Sequence, residues 1–166
     1  MNIELKKIKV AANMSEETTA FTAELFVNGK NIGYVKNDGR GSCTDYYNNP
    51  DEKSKEALKA AEAYCLTLPE VDYGSFKHKM DLETFIDELL DKHLKEKEKI
   101  KLEKKMVDAI IFGVPNGYSY TQIKQNRPLA SFPVESLQKA IDNLKAKFKN
   151  GEVIMNTNLE VLGVKL

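Results

Sequence analysis

The residues best suited to chemistry lie between Asn37 and Tyr47. Asn37-Asp38-Gly39-Arg40-Gly41-Ser42 is a glycine-rich turn carrying one guanidinium, and Tyr46 and Tyr47 follow it. Two glycines so placed allow successive backbone N–H groups to converge on an anion, with Arg40 as the charged clamp. The same residues also suit a tight structural turn in which Gly39 or Gly41 takes positive φ. On the binding reading, Asn37, Asp38, Gly39, Arg40, Gly41 and Ser42 surround a small anionic ligand such as a nucleotide. Asp38 chiefly shapes the turn, and Tyr46 or Tyr47 stacks on the ligand's ring. The loop lacks Walker spacing, and no Lys-Ser/Thr pair follows it.

Other reactive side chains give less. Cys43 follows Gly41-Ser42, and nearby Arg40 is expected to lower its pKa, although a cysteine in a strand also serves as packing. Cys65 falls on the apolar stripe of a helix and reads as core. His78 and His93 stand far apart, with no cysteine or carboxylate at zinc spacing, so no metal site is expected. Glu83, Asp87 and Asp91 repeat every four residues and read as a solvated helix face. No Gly-x-Ser-x-Gly elbow is present. These readings assign no catalytic residue and no cofactor, and they favour binding over catalysis.

The chain has 166 residues, 42% of them hydrophobic and 30% charged, with zero formal net charge. That length suits one domain over 1–166, divisible into sub-lobes 1–68 and 81–166. The run from Ala109 to Phe112 is too short to span a membrane, and the N-terminus lacks an apolar signal core. Two cysteines do not make a disulfide framework, so a reducing cytoplasm and free thiols are expected. Charge is uneven. Residues 51–94 carry six basic and eleven acidic side chains, and residues 95–151 carry twelve and six. Such opposed surfaces suit attraction within a chain or in a homo-oligomer. Eleven of the twelve basic residues in 95–151 are lysine, and Arg127 alone suits bidentate contacts. Without an RRM, KH, zinc-finger or helix-turn-helix signature, nucleic acid is not an expected partner.

The elements that must position these residues follow from periodicity. Residues 2–12 read as a strand whose apolar parity switches at Lys6-Lys7, which implies a bulge. Residues 18–27 alternate, with Phe21, Ala23, Leu25 and Val27 facing a core. Asn28-Gly29 is a type I′ hairpin signal, and Ile32–Lys36 returns as the partner strand. Asn49, with Pro50 at the first helical position, starts a helix that Pro69 stops. Asp81 caps a second helix carrying Leu82, Phe85, Ile86, Leu89, Leu90 and Leu94. The Lys/Glu run 95–105 is either an exposed helical extension or a projecting arm. Residues 106–114 read as a buried strand, Pro115-Asn116-Gly117 as a turn, and residues 118–124 as a half-buried partner. A helix follows with Val134, Leu137, Ile141, Leu144 and Phe148 on one face, ended by Asn150-Gly151. Glu152–Met155 and Leu159–Val164 read as two closing strands. The fold class is α+β: an N-terminal antiparallel sheet, two helices, then a β-β-α-β-β unit.

Two segments carry a resemblance. Phe21-Thr22-Ala23-x-Leu25-x-Val27-x-Gly29-Lys30-x-x-Gly33 with Asn37-Asp38-Gly39-x-Gly41 resembles a protein type seen in phages, plasmids and other mobile elements. That type often has a further glycine where this chain has Ser42. The stretch Gly151 to Leu159 is similar to the end of related proteins. The resemblance implies genetic context, an accessory or phage-borne gene, in which proteins often bind a nucleotide signal or a host protein. The expected function is therefore a non-enzymatic accessory protein, in a counter-defence role, that binds a small anionic ligand. The alternative is a protein-interaction module that self-associates or engages a host protein.

Overall fold

The structure is a computed structural model that describes residues 1–115, 119–149 and 151–166. It comprises two compact units, Met1–Leu94 and Lys95–Leu166. The first unit opens with four antiparallel strands in sequence order, β1 (Ile3–Val10), β2 (Phe21–Val27), β3 (Lys30–Asn37) and β4 (Asp45–Asn48). On β2 the alternation is as read: Phe21, Ala23, Leu25 and Val27 are buried. Asn28 and Gly29 take φ of 49° and 80°, which a type I′ turn requires. The parity switch on β1 is a bulge. Lys6 pairs with Glu24 and Lys9 with Thr22, while Lys7 sits at φ 53° between them. The extra residue lets Ile3 and Leu5 before it, and Ile8 after it, all reach one core.

Two helices cover that core. α1 spans Glu52–Cys65 and places Ala61 and Cys65 fully inside, with Leu58 and Tyr64 beside them. Its cap is Asp51, not the expected Asn49. The Asp51 carboxylate accepts the Ser54 N–H at 2.9 Å and the Ser54 hydroxyl at 2.7 Å. Asn49 is instead tied to β3, donating its N–H to the Ile32 carbonyl. A carboxylate three residues before a serine serves two donors at once, which one amide oxygen at position 49 does not. β5 (Val71–Asp72) and β6 (Lys77–His78) form a small hairpin inside the expected loop. α2 spans Leu82–Met106, and Asp81 accepts the Thr84 N–H at 2.8 Å, as a cap should. Leu82, Ile86 and Leu90 are buried. The Lys/Glu run is helical, and residues 95–101 are all exposed.

The second unit holds a three-stranded sheet in the order β8-β7-β9, with β7 at Ala109–Gly113, β8 at Tyr120–Lys124 and β9 at Val153–Ile154. α3 (Val134–Lys145) packs Leu137 and Ile141 with Ile110, Leu129 and Leu159. Two expectations are corrected. β8 is exposed at all five residues, not half-buried. It is an edge strand with one aliphatic side chain, Ile123, so little drives a face inward. Leu159–Val164 is not a strand: α4 covers Asn158–Val161. Gly163, at φ 86°, ends it as the Val164 N–H returns to the Leu159 carbonyl. The expected turn at Asn116-Gly117, Tyr118 and Asn150 lie outside the described residues. None of the described helices is long and apolar enough to cross a membrane.

One side chain completes the second sheet. The ladder to β9 ends as the Met155 N–H bonds the Ile111 carbonyl. Asn156, 1% exposed, then takes over with its amide. Its Oδ1 accepts the Ile111 N–H at 2.6 Å, and its Nδ2 donates to the Ala109 carbonyl at 2.9 Å. Asn156→Leu keeps the branching and the number of heavy atoms but strands both β7 groups. It is expected to cost about 3 kcal/mol in urea unfolding. A loss below ~0.5 kcal/mol would show that these groups find other partners.

Candidate functional site

The Asn37–Ser42 loop is closed by its own side chains. Asn37 ends β3, and its Oδ1 accepts the Gly39 N–H at 2.8 Å and the Thr18 hydroxyl at 2.9 Å. Its Nδ2 donates to the Ser42 carbonyl at 3.0 Å and to Thr44 Oγ1 at 3.2 Å. Asp38 Oδ1 accepts the Arg40 N–H at 3.1 Å and the Ser42 hydroxyl at 2.7 Å. The Gly41 N–H reaches Thr18 Oγ1 at 3.3 Å. The backbone donors of residues 39, 40 and 41 are thus engaged, and the Asp38 carboxylate stands where the nest reading puts an anion. The Ser42 hydroxyl and Arg40 N–H hold the Asp38 pKa below its ordinary value. Gly39 and Gly41 take φ of 85° and 81°. A Cβ on Gly39 would overlap the Met14 carbonyl oxygen, so this glycine is fixed by close approach as well as by φ. Its own carbonyl accepts N–H groups from Glu16, Glu17 and Thr18, which anchors the preceding segment.

The two tyrosines part company. Tyr46 is partly buried against the first core, and its hydroxyl bonds Glu62. Burial first, and the Glu62 charge second, push its pKa up to about 12. Tyr47 faces solvent and stacks on Tyr34, centroids 5.0 Å apart and planes 19° from parallel. Lys36 Nζ lies 5.6 Å from its ring centroid. Successive strand residues point to opposite faces, so the pair does not converge on one ligand. Cys43 is exposed, but its thiol bonds Glu83, and that bond and charge raise its pKa. The lowering expected from Arg40 is overturned: the charges that act on the thiol are those of Glu83 and Asp45. Cys65 is buried and raised to about 11 by burial.

What the loop builds is a cleft with α2. Thr44 is buried, its N–H donates to Glu83 Oε1 at 2.9 Å, and its hydroxyl donates to Asp87 Oδ1 at 2.7 Å. Beside this link lies a cleft of about 240 Å³. Asn37, Ser42 and Thr18 line one side, and Asp87, Asp91 and Leu90 the other, with Phe21 and Leu94 also in the wall. Of the residues singled out from sequence, Asn37 and Ser42 reach this cleft. Thr18, Asp87 and Asp91 were not assigned to it, since their local signals were a turn residue and a solvated helix face. Asp87 is exposed as a residue, but partial desolvation of its carboxyl raises its pKa, and the charges of Glu83 and Asp81 add to this against the Thr44 bond. His78 pairs with Asp81 at 3.8 Å. Among the described residues no group of three His, Cys, Asp or Glu side chains could hold a metal.

No family model, curated protein or solved structure matches the chain.

A carboxyl raised in the folded state binds its proton more tightly there than in the unfolded chain. The stability it contributes falls as pH rises from about 4 through the raised value. Asp87→Asn keeps an acceptor for Thr44 and removes the titration. The melting temperature of the variant minus that of wild type is expected to grow between pH 4 and pH 7.5. A difference that is constant or shrinks would contradict a raised Asp87 pKa.

Proposed function

We propose that this protein acts by binding and that the cleft beside Asn37–Ser42 takes a nucleotide, base first. The observation that carries this reading is the combination of wall chemistries in one cleft. Asp87 and Asp91 place carboxylates in the wall, Thr18 and Ser42 carry hydroxyls, and Phe21, Leu90 and Leu94 are apolar. Base edges present N–H donors that carboxylates accept, and their flat faces need apolar cover. Thr44 uses one Asp87 oxygen, and a carboxylate has capacity for more. The cleft is smaller than the ~300 Å³ at which drug-sized pockets begin, so it suits a base with sugar and phosphate outside. Acidic walls disfavour phosphate within. The anion contact falls to the exposed Arg40 side chain and not to the engaged loop amides.

The resemblance to mobile-element proteins supports an accessory role, such as counter-defence by retention of a nucleotide signal, by analogy of context. Two free cysteines support a cytoplasmic setting.

The test is a thermal-shift panel of nucleosides and nucleotides on wild type, Arg40→Ala and Asp87→Asn. A bound nucleotide near 100-fold its Kd is expected to raise the wild-type melting temperature by about 5 °C or more. Arg40→Ala should lose the advantage of nucleotide over nucleoside, and Asp87→Asn should lose both shifts. No shift in wild type, or full shifts in Asp87→Asn, would remove the cleft as the binding site.

A further inference from the structure

A second groove of the first unit shares Asp87 and Asp91 with the cleft but has another wall of its own. At the tip of the β5–β6 hairpin, Tyr73 and Phe76 stack with centroids 5.2 Å apart, yet are 54% and 60% exposed. The turn holding them is well built. The Tyr73 N–H bonds the Phe76 carbonyl at 3.0 Å, and Asp72 Oδ1 accepts the Gly74 N–H at 2.7 Å. Two large aromatic rings stacked on each other in solvent are typical of an interface core and costly to leave wet.

Tyr73 forms one wall of a groove of about 350 Å³ whose other wall is α2, with Thr84, Asp87, Glu88 and Asp91. The remaining lining residue is Val71, so among the described residues the lining holds no lysine or arginine. Residues 70–91 carry seven carboxylates against two lysines, Lys77 and Lys79. An aromatic face opposite carboxylates matches one chemistry above others, a guanidinium or ammonium. The cation is held over the ring and bonded by the acids, and arginine does both through one planar group. We propose that this groove docks an arginine- or lysine-rich segment of a partner protein. The aromatic pair supplies the anchor and the acidic face of α2 the selectivity for positive charge. The groove shares Asp87 and Asp91 with the nucleotide cleft, whereas Tyr73, Phe76 and Glu88 do not line that cleft, so substitutions at these three test this reading separately.

The experiment is fluorescence anisotropy with labelled octa-arginine as the probe and octa-glutamate as control, at about 50 mM salt. Saturable binding of octa-arginine alone is expected, weakened about fivefold or more in Tyr73→Ala and in Glu88→Gln, each worth ~1 kcal/mol. A Glu16→Gln/Glu17→Gln variant, altered away from the groove, should bind as wild type. Absence of saturable binding would overturn the proposal. So would equal affinity in Tyr73→Ala, Glu88→Gln and wild type, which would mark general adsorption to an acidic protein. Both substitutions are at the surface, and circular dichroism of each variant checks that the fold is kept.

Discussion

The hydroxyl of Thr44 is the interaction on which the first unit's site depends. A buried hydroxyl is tolerated only when bonded, and this one gives its proton to Asp87 and receives one from Asn37. The same residue's N–H binds Glu83. Sheet loop and helix are thereby tied at one point, 39 and 43 residues apart along the chain. Asn37 passes the constraint on. With its Nδ2 committed to Thr44 and Ser42, its Oδ1 is left to fix Gly39 and Thr18. Gly39 in turn gathers three N–H groups of the preceding segment. Loop shape, cleft wall and the link to Asp87 follow from one β-branched residue that no local pattern distinguishes.

The second unit solves a similar problem with a different group. Its short strand β9 runs out before the groups of β7 are satisfied. The amide of Asn156 supplies donor and acceptor together, in the manner of a further backbone pair. Asn158 extends this by donating from Nδ2 to the carbonyl of Met106, a carbonyl at the C-terminal end of α2 that lacks an intrahelical partner. In both units, a polar side chain is buried where regular structure stops, because unbonded backbone cannot be left inside.

This contrast explains how much was legible in the sequence. Short-range physics was readable. The alternation of Phe21 to Val27, the Asn28-Gly29 turn, the parity switch at Lys6-Lys7 and the Asp81 cap each involve neighbours a few residues apart. Competition between neighbours was harder. Asn49 and Asp51 both suit a cap, and Ser54 decides between them. Leu159–Val164 is apolar enough for strand or helix, and Gly163 decides it by leaving the helix in the left-handed region. The candidate site was legible only as a place. Asn37 and Asp38 each stand two residues before an N–H that they accept, a spacing that announces side-chain turns and hence engaged amides. The opposite wall came from a helix face on which Asp87 and Asp91 are exposed, as their spacing suggests, and which the Thr44 bond nonetheless ties to the loop.

Cys43 shows a consequence of the same closure. Its sulfur is accessible, yet the thiolate is the form that attacks disulfides and yields to oxidants, and Glu83 disfavours that form. Cys65 has the converse protection, a sulfur with no access and a pKa raised by burial. The two thiols are thus disfavoured as thiolates by different local causes, a neighbouring carboxylate at Cys43 and burial at Cys65.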